Sequence, residues 1–135
     1  MVRRQAGLIA GMADFSRSTL LDGGEKLHLL HVDVGRYLDD IVAHFVSSIP
    51  MRLAAFTRAH ADCDLPALRR EAHKLKGAAA TLGAIRLVDL CVELESLCQA
   101  ERLPPANLLT VLGDDAWESI RLMHGVLDRL RGERD

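Results

Sequence analysis

The densest chemistry in this 135-residue sequence lies in one run: Arg69-Arg70-Glu71-Ala72-His73-Lys74-Leu75-Lys76-Gly77. An imidazole offers a neutral nucleophilic nitrogen near neutral pH, since its ordinary pKa is about 6.5. Histidine is also among the side chains that form covalent intermediates. A phosphoryl group landing on His73 would bring negative charge and three strong acceptor oxygens. Lys76, one turn further on, could pair with that charge. Arg69, Arg70 and Lys74 would add a positive rim able to dock an acidic partner surface. Gly77 costs a helix roughly 1 kcal/mol relative to alanine. Alanines follow it at once, so better helix formers are tolerated nearby. A small residue beside the imidazole would let a partner backbone approach closely.

These side chains need a helix that holds His73 outward. Leu68, Ala72, Leu75, Ala79 and Leu82 recur at spacings of four and three, which predicts a helix over 64–82 with one narrow buried stripe. His73 follows the stripe residue Ala72, about 100° round the helix and off the buried face. Asp64 is the expected N-cap, with Pro66 in the first turn and Gly83 at the end.

Three further helices are expected around it. The first spans 33–61, capped by Asp33, with Val34, Leu38, Ile41, Phe45, Ile49, Leu53 and Phe56 inward and a kink or local break near Ser47–Ser48 caused by Pro50. The next spans 84–101, with Leu87, Leu90, Cys91, Leu94, Leu97 and Cys98 on its apolar face. The last spans 105–131, with Leu109, Leu112, Ala116, Ile120, Met123, Leu127 and Leu130 inward. Short connections favour antiparallel neighbours, so the fold class is all-α, an antiparallel up-and-down four-helix bundle. Residues 1–32 read as an N-terminal extension, a short helix or a linker, in which Leu8, Met12 and Phe15 could form one amphipathic turn and Asp22-Gly23-Gly24 is a breaker. Residues 33–131 form the bundle and 132–135 a tail.

Composition narrows the function. Aromatic residues make up 4% of the chain, so aliphatic side chains must build the core, which favours helices. A net charge of −2 gives no reason to expect nucleic acid or an anionic membrane surface. No apolar run approaches the roughly 20 residues of a membrane span. The basic start, Met1 to Arg4, precedes an apolar stretch too short and too broken by Gly11 and Asp14 for a signal peptide. Cys63, Cys91 and Cys98 form no Cys-x-x-Cys pair and are expected to be small buried apolar residues. A cytoplasmic protein is expected. His28-x-x-His31 lacks a third ligand in register, so no metal site is expected. No Gly-rich phosphate loop or kinase signature is present, so ATP-dependent kinase activity is not expected.

The string Ala72-His73-Lys74-Leu75-Lys76-Gly77, closing in Leu82-Gly83-Ala84, resembles the signature of histidine-containing phosphotransfer (HPt) domains. The resemblance extends to Leu90-Cys91-x-x-Leu94-Glu95 and back to Asp64-x-x-x-Leu68, Leu53, Pro50 and Phe45. It implies that His73 is the phosphoacceptor, that Lys76 stabilises the phosphoryl group and that Gly77 leaves room for a receiver domain. Glu95 falls where the family often has Gln or Glu, implying a hydrogen bond to the imidazole. The alanines at 78–80 depart from a pattern in which Ser is frequent. The resemblance further implies a phosphorelay intermediate, not an enzyme, that accepts a phosphoryl group from one receiver aspartate and passes it to another. The implied partners are response-regulator receiver domains and a hybrid sensor histidine kinase. No cofactor is expected on this chain, with Mg²⁺ in the partner receiver, and a monomer is expected.

Two other readings fit parts of the sequence. A bundle without the chemistry could act as a non-phosphorylated adaptor that regulates a receiver or kinase. Helices 64–82 and 84–101, joined by a Gly-containing turn, could form a helix-turn-helix that binds DNA. The second of these helices carries Asp89, Glu93 and Glu95 and almost no cation beyond Arg86, which argues against DNA.

Overall fold

The computed structural model describes residues 20–134. It is all-helical: α1 (Glu25–Val34), a 3₁₀ turn (Gly35–Tyr37), α2 (Leu38–Ala61), α3 (Leu65–Leu82), α4 (Ile85–Gln99) and α5 (Ala106–Arg134). Helix α2 packs on α3, α3 on α4, α4 on α5 and α5 back on α2, which closes a four-helix bundle. The α3 stripe Leu68, Ala72, Leu75, Ala79 and Leu82 is wholly buried, as its spacing requires.

The helix ends explain the short connections. Asp64 caps α3 by accepting the Ala67 amide at 3.0 Å. At the other end Gly83 takes the left-handed conformation (φ 78°). Its amide donates to the Ala80 carbonyl, and the Ala84 amide donates to Ala79 at 2.9 Å. The same closure recurs after α2, where Asp64 donates to Ala59, and after α4, where Arg102 donates to Leu97. There the left-handed residues are Cys63 and Glu101 (φ 51° and 58°), types that enter this region at a cost. Cys63 is exposed in that turn, so only Cys91 and Cys98 are buried apolar cysteines.

Several expected boundaries move. The long second helix begins at Leu38, with Tyr37 rather than Asp33 at its N-cap, because the chain bends through Gly35–Tyr37. Residues 25–34 form a helix of their own, and Leu20, Leu21 and Leu27 are buried. Part of the expected extension therefore belongs to the core. Helix α1 covers one end of the bundle, touching α5, α2 and α3. Asp22 donates its amide to the Gly83 carbonyl, and its carboxylate accepts the Lys26 amide. Of the kink or local break expected near Ser47–Ser48, the break does not occur: α2 runs unbroken through Pro50. Ile49 and Phe56 anchor the helix in the core on both sides, and the proline ring faces solvent. The Ser47 and Ser48 hydroxyls donate to the carbonyls of His44 and Phe45. In α5, Leu108 is buried and Leu109 only partly so, and the helix continues to Arg134 rather than ending in a tail at 132. The turn expected around Leu8, Met12 and Phe15 lies outside the described residues.

Candidate functional site

Helix α3 presents His73 on its outer face, with 73% of the side chain exposed. The imidazole is steered from α4. Its Nδ1 lies 3.5 Å from Glu95 Oε2, a contact too long for a strong hydrogen bond. Nε2 is the ring nitrogen not engaged by this contact. The second Glu95 oxygen meets Lys76, whose Nζ stands 2.7 Å from Oε1. At this distance the ammonium and the carboxylate form a close ion pair. Glu95 itself is largely covered, its side chain 17% exposed.

Two side chains of α3 therefore meet at one carboxylate reaching from α4. Burial pushes the Glu95 carboxyl up, but Lys76 and His73 together outweigh burial and leave it below the ordinary glutamate value. It is ionised at neutral pH. Cys91, one turn before Glu95, is different. Burial, reinforced by the Glu95 charge, pushes its thiol up to about 12, so it stays protonated and offers no second nucleophile.

An open groove of about 740 Å³ runs along this face, between the first half of α3 and the end of α4. Arg69, Arg70, His73, Lys74 and Lys76 line it from α3, Glu95 and Cys98 from α4, and Glu101 from the turn that follows α4. Gly77 lies on the other side of His73. A methyl group built there would meet nothing within 4 Å. Helix packing therefore does not require this glycine, and the space it leaves opens to solvent.

Residues 40–132 match the family model of the Hpt domain. The chain belongs to the HPt domain family. Comparison with curated proteins and with solved structures gives no match. Membership assigns an HPt chain a phosphotransfer role in two-component signalling, as a carrier module that interacts with receiver domains. Among the described residues no helix is long and apolar enough to cross a membrane. No group of three or more His, Cys, Asp or Glu side chains there could hold a metal ion.

The structure gathers His73, Lys76, Glu95, Arg69, Arg70 and Lys74 into this one groove, while Gly77, one turn along α3 from His73, lies outside its lining. Lys74 turns partly aside to Glu71 at 3.5 Å, a helix-surface pair worth little. Sequence reasoning missed the tie between Lys76 and Glu95, and the place of Glu101 in the groove. Neither has a signal at helical spacing, because each brings a residue to α3 from a later part of the chain. His60 contacts the Pro104 carbonyl at 2.8 Å through Nε2 and tethers the α4–α5 loop. Arg86, the one cation of α4, is bound to Asp115 at 2.9 Å, which leaves the helix without a base-reading side chain.

Proposed function

We propose that this HPt domain is a cytoplasmic phosphorelay intermediate in which His73 accepts a phosphoryl group from a receiver aspartate and passes it to another receiver. The supporting observation is the pose of His73: exposed on a helix anchored by a fully buried stripe, with Nδ1 facing Glu95. That contact favours the tautomer with a proton on Nδ1 and a lone pair on Nε2. Nε2 attacks phosphorus in line, and the aspartate carboxylate departs with the electron pair of the P–O bond. Lys76 is placed to balance the charge of the arriving group. Catalysis of this kind is mainly positioning and electrostatics, which so spare a site can supply. The receiver contributes the acidic pocket and Mg²⁺. Arg69, Arg70 and Lys74 steer its approach, and the gap at Gly77 admits its backbone. A hybrid sensor histidine kinase is the proposed source of the phosphoryl group, and the domain works as a monomer.

The test is transfer from a phosphorylated receiver domain to the purified protein. Wild type is expected to take up an acid-labile label, and His73→Gln to take up none while keeping its helical circular dichroism. Equal labelling of the two proteins would overturn the assignment. No labelling of wild type by any receiver of the same organism would favour the adaptor reading.

A further inference from the structure

Glu95 serves two partners with separate oxygens, the His73 ring at Oε2 and the Lys76 ammonium at Oε1. What it does once the ring is phosphorylated follows from charge balance, given the carrier role proposed above. Attack by Nε2 forms the N–P bond while Nδ1 keeps its proton, so the ring becomes a cation. On the return step Nε2 takes back the electron pair of the N–P bond. With Nδ1 protonated the ring leaves as neutral imidazole. With that proton lost it must leave as an imidazolate anion, a far poorer leaving group. A carrier that sheds the Nδ1 proton strands its phosphoryl group.

We propose that Glu95 keeps the Nδ1 proton on phosphorylated His73, and that Lys76 releases Glu95 for this task by moving to the phosphoryl oxygens. The surroundings make such a group necessary. On α3, Arg69, Arg70, Lys74 and Lys76 all share the groove with the ring and favour loss of its proton. Glu71 is engaged with Lys74. Helix α2 brings Arg52, close enough to act on Cys91, one turn before Glu95, and so adds a further cation. Helix α1 covers the far end of α3, at Gly83. Helix α4 and the turn that follows it supply the opposing charges, Glu95 and Glu101. Of these, Glu95 touches the ring and is held ionised. Its Oε1 is covered and paired with Lys76, so the loss of that ion pair is offset by the pairing the lysine gains with the phosphoryl oxygens and by the cationic ring at Oε2. Glu95 is thus a positioning residue for the outgoing transfer rather than only for the attack.

The experiment uses Glu95→Gln, which keeps an acceptor of the same shape and removes the charge. Phosphorylated wild type and variant are each mixed with one excess receiver domain, and transfer is followed from about pH 6 to about pH 9. The expected result is equal rates within about threefold at the acid end, then a fall of about tenfold per pH unit for the variant alone. A variant that follows wild type at every pH, or is slower by one constant factor throughout, overturns the proposal. Phosphorus NMR of wild type provides a check that needs no variant. The folded phosphoprotein is expected to keep its ring proton to higher pH than the same phosphoprotein unfolded in urea, and coincident titrations refute the idea. Labelling of His73 with no such pH dependence leaves the carrier role standing and removes only the role of Glu95.

Discussion

Two covered carboxylates in this bundle each meet a cation from a neighbouring helix, yet their surroundings displace their acidities in opposite directions. Glu95 on α4 pairs with Lys76 of α3, and Asp115 on α5 pairs with Arg86 of α4. Their side chains are 17% and 10% exposed. Glu95 lies below its ordinary value because Lys76 and His73 overcome its burial. Asp115 lies above its ordinary value: burial dominates, Arg86 opposes it, and Asp114 and Glu118 add to the rise. The neighbours decide, not burial alone. A carboxylate whose ionised form is favoured suits a site where charge must be ready. One that ionises at a cost acts as a tie between helices, stable only while its partner remains.

The largest effect is expected from breaking those ties one at a time. Arg86→Met leaves Asp115 covered and unpaired at the α4–α5 seam, and is expected to cost about 2–4 kcal/mol. Lys76→Met removes a cation that is 31% exposed and is expected to cost less than about 1 kcal/mol. Urea denaturation of the two variants measures the gap. Equal losses would show that the two pairs are energetically alike and would break the comparison.

The pH dependence of stability sharpens it. The folded state holds a proton on Asp115 more readily than the unfolded chain does. Its contribution therefore grows as pH falls through the raised folded value, and is lost as pH rises through it. Glu95 runs the other way. Its contribution is complete above the unfolded glutamate value and is lost as pH falls through the lowered folded value. Denaturation from about pH 3 to about pH 7 is expected to show Asp115→Asn steepening the loss of stability on acidification, relative to wild type. Glu95→Gln is expected to flatten it. Changes of the same sign would refute the opposed shifts.

How far the sequence discloses these two regions depends on whether a feature lies within one helix. The α3 stripe, the Asp64 cap and the Gly83 stop are local, and all three are where the periodicity and residue types put them. The reactive face of α3 follows directly from them. The ends of α2 and α4 use the same closure as α3, but with Cys63 and Glu101 in the left-handed position they give no glycine signal. Helix α1 hid behind Gly23 and Gly24. These two do mark a turn, yet Leu27 beyond them is sunk in the core. Gly24 also lets the chain approach Val126 closely, where a methyl group would come within 3.2 Å of its side chain. Lys76–Glu95 and Arg86–Asp115 stayed illegible for one reason. Each crosses between helices, and its register is set by packing of the stripes rather than by spacing along the chain.

The smallest expected effect separates Gly77, inside α3, from Gly83 at its C-terminal end. Gly83 is required by the fold, with φ of 78° and the Asp22 carboxylate 2.6 Å from where a methyl group would sit. Gly77 has neither constraint, since its missing methyl would meet nothing within 4 Å. Gly77→Ala is therefore expected to raise stability by about 0.5–1 kcal/mol through helix propensity alone. The same variant is expected to slow phosphoryl uptake from a receiver by roughly tenfold, because the added methyl holds the partner off the reacting nitrogen. Urea midpoints and single-turnover transfer measured on one preparation test both halves. A loss of stability would mean that Gly77 serves the fold after all, as Gly83 does. A gain with unchanged transfer would mean that the gap beside His73 admits no partner. Stability gained together with transfer lost is the signature of a glycine retained for the partner against the preference of its own helix.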